Sequence, residues 1–63
     1  MDEYQYKNGD PVWVGDNPKH MALICCNHGI LTENGVMWVV EFIGGVKQLI
    51  WSKDLCSTLK ERT

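Results

Sequence analysis

The chain has 63 residues, 44% of them hydrophobic and 22% charged, with a formal net charge of -2. A domain of this length buries only about 60% of the surface its unfolded chain exposes, so it supports one thin core. Its six Lys and Arg residues stand singly except near the C-terminal end, a poor footprint for nucleic acid, and no apolar run reaches the ~18 residues of a membrane span.

No basic start leads into an apolar stretch, so a secretory signal is not expected. Cys25, Cys26 and Cys56 cannot all pair within one chain. They are expected to be free thiols in a reducing compartment, which makes the chain a soluble intracellular one.

Residues 1–8 form a polar N-terminal segment carrying Tyr4 and Tyr6. Asn8-Gly9-Asp10-Pro11 is a turn cluster that launches a first strand over Pro11 to Val14, where the missing N–H of Pro11 suits a strand start or an edge. A second turn-rich loop, Gly15-Asp16-Asn17-Pro18-Lys19, leads into a long second strand from His20, with Gly29 marking a bulge or bend. Asn34-Gly35 then lies between apolar runs and predicts a type I′ turn with positive φ at both residues, pairing Ile24 to Leu31 with Val36 to Ile43.

Gly44-Gly45 predicts a tight turn into a fourth strand, Val46 to Trp51. Ser52 to Leu55 reads as a single 3₁₀ turn, because Ser and Asp favour local bonds to backbone, and a last strand follows from Cys56 to Leu59. The expected fold is all-β, a small five-stranded SH3-like barrel over residues 9–59 with a 3₁₀ turn before the last strand, followed by a frayed tail over 60–63.

The pleat assigns Val12, Val14, Val36, Trp38, Val40 and Phe42 to the core. The opposite face carries Trp13, Leu23, Cys25, Met37, Val39 and Ile43, more apolar than a solvated antiparallel sheet should be. Two readings follow: strong bending buries both faces, or part of this face meets a partner or a second copy. Trp38 and Trp51 are expected in the core, Trp51 as a plug at one barrel end. Trp13, out of phase with Val12 and Val14, points to the rim near Tyr4 or Tyr6, either anchoring a peptide or packing under the N-terminal segment.

Gly9-Asp10-Pro11-Val12-Trp13-Val14 resembles the Gly-Asp-x-Val-Trp opening of PWWP domains, Ala22-Leu23-Ile24 is similar to the Ala-x-Ile of their second strand, and Trp38-Val39-Val40-Glu41-Phe42 before Gly44-Gly45 resembles the Trp-Val-x-x-Phe strand of the Tudor/PWWP group. The resemblance spans residues 9–55. It implies a noncatalytic recognition module in a nuclear, chromatin-associated protein, binding a methylated or cationic peptide such as a methylated histone tail in an aromatic cage. Phe42 matches a cage wall, and His20 or Met21 stands where an aromatic residue is common. The Pro-Trp-Trp-Pro stretch is replaced by Pro18-Lys19-His20-Met21, Glu41 stands in place of a cage tryptophan, and Gly44 replaces an acidic residue.

The expected ligand-binding set is Trp13, Asp16, His20, Glu41 and Phe42, between the Gly15 to Lys19 loop and the end of the third strand. The alternative is a structural barrel that docks through its apolar outer face to another domain or subunit, with no methyl-lysine ligand. A contact with RNA or DNA through Lys19, Lys47 and Lys53 is a third reading. Tyr4-x-Tyr6 is similar to the opening of proline-recognising SH3 domains, without their Trp-Trp pair or closing Pro-x-x-Tyr.

No cofactor is expected. Cys25, Cys26, His28 and Cys56 have zinc-binding atoms, but adjacent strand cysteines point to opposite faces and suit one tetrahedral ion poorly. Glu41 with Asp54, or Asp16 with His20, lacks a nucleophile, so catalysis is not expected either.

Overall fold

A computed structural model describes residues 3–15 and 18–57. The elements in order are β1 (Pro11–Val14), β2 (His20–Ile24), β3 (Ile30–Thr32), β4 (Gly35–Phe42), β5 (Lys47–Trp51), a 3₁₀ turn (Ser52–Asp54) and β6 (Leu55–Ser57). All pairings are antiparallel, and the sheet curls into a half-barrel with no α-helix among the described residues. Its order is β3-β4-β2-β1-β6, with β5 on the other edge of β4, so the first and last strands are neighbours.

The expected second strand is two strands, which raises the count from five to six. Ile24 pairs with Val40 and Ile30 with Met37, so Cys25 to Gly29 stand against only Trp38 and Val39. The excess residues leave the ladder as a bulged loop. Gly29 is the reason the loop can lie so close to the sheet: a Cβ there would overlap Val36 Cγ1 and stand 3.0 Å from Trp38 Cε2. Its N–H donates to the Glu3 carbonyl, so the N-terminal segment fills the place where a ladder partner would sit.

The hairpin after β3 also departs from the expected turn. Among the described residues no non-glycine has positive φ, and Thr32 pairs with Gly35, so the turn residues are Glu33 and Asn34 rather than Asn34 and Gly35. Thr32 explains the shift: its hydroxyl accepts from the Asn34 N–H at 3.2 Å and donates to the Gly35 carbonyl at 2.8 Å. Within this hairpin Gly35, at φ 137°, takes the backbone region that disfavours other residues. At the next turn Gly44 and Gly45 have φ of 102° and 90°, and Phe42 donates its N–H to the Val46 carbonyl at 2.7 Å.

The core contains Tyr6, Val12, Val14, Ala22, Ile24, Val36, Trp38, Val40 and Leu55. Val36, Trp38 and Val40 alternate along β4 as expected, and Phe42 and Ile50 pack against the cluster while half-buried. Tyr6 meets Trp38 edge to face, with ring centroids 5.1 Å apart, the geometry that the quadrupoles of two aromatic rings favour. Tyr6 therefore lies on the opposite side of β1 from Trp13, so of the two tyrosines expected near Trp13 it is not the neighbour.

Trp51 is not a core plug. Ile50 takes the inward position opposite Trp38, which turns Trp51 outward beside Met37 and leaves it half-buried. The 3₁₀ turn lies where it was expected. The end of the last strand at Thr58 and Leu59, and the tail over 60–63, fall outside the described residues.

Candidate functional site

Alternation along the strands sorts the expected site residues onto two faces. Trp13 is paired with Met21 and Cys56, and Glu41 with Leu23 and Lys47, all on the outer face. His20 pairs with Val14, and Phe42 with Ala22, in phase with the core. His20 is exposed at the strand end and Phe42 half-buried. Asp16 lies outside the described residues. The ladder therefore joins Glu41 with Phe42 as chain neighbours and separates Trp13 from Phe42 by the thickness of the sheet.

Glu41 and Phe42 do share one depression. With Met21, Ala22, Leu23 and Ile43 they line an open apolar recess of about 110 Å³ at the end of β4. Ile43, just past the strand, is 90% exposed. A larger open cleft of about 350 Å³ lies between Gly15, Lys19 and the segment Lys53 to Cys56. It borders the expected loop but sits at the 3₁₀ turn, away from the end of β4.

The outer face is built in rows across the strands. One row runs Pro11, Leu23, Glu41, Lys47; another Cys56, Trp13, Met21; a third sets Val39 against Leu49; a fourth runs Ile30, Met37, Trp51. In these four rows Glu41 and Lys47 are the charged residues. Leu23 and Leu49 are 46% and 51% exposed, while Trp13, Met37 and Val39 are half-buried, so this face is covered only in part. Bending thus buries neither all nor none of the apolar outer surface, and its most accessible residues are Leu23, Leu49 and Ile43.

Leu49 and Trp51 were missed as surface residues. Leu49-Ile50-Trp51 is an unbroken apolar run, and such a run carries no period that says which member faces in. The register with β4 decides it.

The remaining chemistry is sparse. Cys25, Cys26 and Cys56 are half-buried thiols outside any disulfide among the described residues, and no group of three or more His, Cys, Asp or Glu residues among those described is placed to hold a metal ion. His28 Nδ1 lies 3.0 Å from the Gly29 carbonyl and 3.7 Å from Glu3 Oε2, joining the bulged loop to the N-terminal segment. Burial, aided by the nearby Cys56 thiol, raises the Tyr6 pKa above its usual value of 10.0. Among the described residues no helix is long and apolar enough to cross a membrane.

No protein-family model, curated protein or solved structure matches this chain.

Proposed function

We propose that this chain is a noncatalytic recognition module with an SH3-like barrel, which docks a protein partner on the outer face of its sheet. The observation that carries this reading is the accessible apolar surface around Trp13, Met21, Leu23, Val39 and Leu49, since contiguous apolar patches on small soluble domains mark interaction surfaces. The neighbouring first and last strands and the 3₁₀ turn before β6 support the SH3-like assignment.

A dye that fluoresces on apolar surfaces tests the reading. The folded protein should bind it, and Leu23→Asp should abolish most of the signal with the circular dichroism unchanged. A folded protein that leaves the dye dark would refute the docking face.

A second reading is favoured by the recess that joins Glu41 to Phe42: a cationic peptide, methylated at lysine or arginine, inserts its ammonium or guanidinium head there. Glu41 supplies the opposite charge and Phe42 a ring. In this reading the chain is a Tudor-like module acting on histone tails in the nucleus. Titration with methylated histone peptides and their unmodified forms distinguishes it. Methyl-dependent amide shifts at Glu41 and Phe42 would support the cation site, and equal silence with both sets would exclude it.

A further inference from the structure

The backbone of β5 has a free side as well as an apolar face. Phe42 donates to the Val46 carbonyl, and the β4–β5 register continues that pair as Val40 with Gln48 and Trp38 with Ile50. Hydrogen-bonded pairs alternate in an antiparallel ladder, so Gln48 and Ile50 spend their backbone groups on β4. The N–H and C=O groups of Lys47 and Leu49 and the N–H of Trp51 point the other way, while the Trp51 carbonyl, at the N-cap, is taken by the 3₁₀ turn that follows. Among the described residues, β5 pairs with β4 alone.

A partner for this edge must present outward backbone groups at alternate residues over the same length. A second copy of β5 does so. Run antiparallel with Leu49 facing its own counterpart, the two strands match Lys47 with Trp51 on both sides of a two-fold axis. All three outward residues of each strand then pair, and with the two Trp51 carbonyls engaged in their own turns this gives about four inter-chain hydrogen bonds.

The side chains agree with that register. Leu49 meets Leu49 at the axis, and each Lys47 ammonium lies beside the Trp51 ring of the other copy, where the ring face attracts a cation. Sliding one copy by two residues leaves an outward residue unmatched on each strand. Sliding by four sets Lys47 against Lys47, a like-charge pair, or Trp51 against Trp51 with no cation between them. Charge and hydrogen bonding therefore select a single alignment.

We propose that β5 is a self-pairing edge through which two copies of this chain form a dimer with one continuous sheet. This interface uses the strand edge and the Leu49 end of the outer face, and leaves the Leu23 end of that face uncovered. Lys47 and Trp51 are committed to it, while Leu23 and Met21 remain free for another partner.

The test is sedimentation of the whole chain from about 20 μM to about 1 mM, the range in which interfaces under about 1,200 Å² dissociate. The wild type should pass from monomer to dimer across that range. Leu49→Lys places two ammonium groups at the axis on a half-exposed position and should weaken the dimer at least about tenfold. Leu23→Lys, on the outer face away from the edge, should leave it unchanged.

A mixed sample of labelled and unlabelled wild-type chains should give an inter-chain Hα contact between Gln48 and Ile50, the non-bonded pair of this register. A monomer at every concentration would overturn the proposal. So would a dimer broken by Leu23→Lys and not by Leu49→Lys, or protection of the Leu49 amide from exchange that is independent of concentration.

Discussion

Along β4, neighbouring residues meet opposite fates: Val36, Trp38 and Val40 are 1% exposed or less, while Met37 and Val39 between them stay half-covered. The chemistry of the two sets is nearly the same, all five being apolar. What differs is what lies across from them. The inner set faces Tyr6, Val12, Ile24 and Leu55 around a closed cluster; the outer set has Leu49 and Trp51 on β5 as cross-strand neighbours, and Leu49 is itself 51% exposed. In a chain this short one side of the sheet consumes the elements available for covering, and apolar residues on the other side stay partly exposed.

The comparison breaks most visibly at the tryptophans. Trp38→Ala empties the centre of the inner face and should cost about 3–5 kcal/mol, enough to unfold a domain of this size, whereas Trp13→Ala on the outer face should leave a cooperative transition. Chemical denaturation of the two variants measures the difference. Equal losses would mean that both faces are core.

Gly29→Ala probes the bulge that lets the loop approach the inner face. The added methyl overlaps Val36, a β-branched residue that is itself buried, so little can yield, and about 1–3 kcal/mol should be lost. Thr32→Val removes both side-chain hydrogen bonds of the β3–β4 turn and should lower stability by about 0.5–1.5 kcal/mol. Leu23→Asp, on the accessible face, should change stability by about 0.5 kcal/mol or less.

Alkaline pH probes the inner face through Tyr6. Tyr6 has a raised pKa in the folded state, so its phenol ionises first in the unfolded chain. The stability it contributes is intact below the unfolded value of about 10 and is lost as pH rises through the folded value. Tyr6→Phe should remove this component of the alkaline decline, seen as a flatter dependence of the denaturation midpoint above that pH.

Much of this division was legible in the residues. Period-two alternation in Pro11-Val12-Trp13-Val14 and in Val36 to Phe42 fixes which side chains face inward, and the Ser52 to Leu55 segment announces its turn. Three features were not legible. The Asn-Gly signal pointed to the wrong pair of turn residues because the Thr32 hydroxyl, two positions upstream, competes for the Asn34 N–H. Gly29 signalled a bend, but the extent of the bulge depends on Glu3, far away in sequence, accepting its N–H. Tyr6 looked like part of a polar leader, and only the inward-facing Trp38 ring shows why it is buried.

The site was less legible than the fold, for a physical reason. A cage requires residues from different strands to converge, and convergence depends on register and phase. Trp13 and Phe42 are each in a plausible place along the chain, yet the ladder puts them on opposite faces. Leu49 and Trp51, in an apolar run without a period, gave no sign of the face they occupy.

The most direct measurement of the two-faced sheet is a titration with an apolar dye, followed through the three indole N–H signals. The account predicts that Trp13 and Trp51 shift in a saturable way while Trp38, fully enclosed by the core, stays still. Movement of Trp38 together with the other two, or a dispersed spectrum in which none of the three responds, would contradict it.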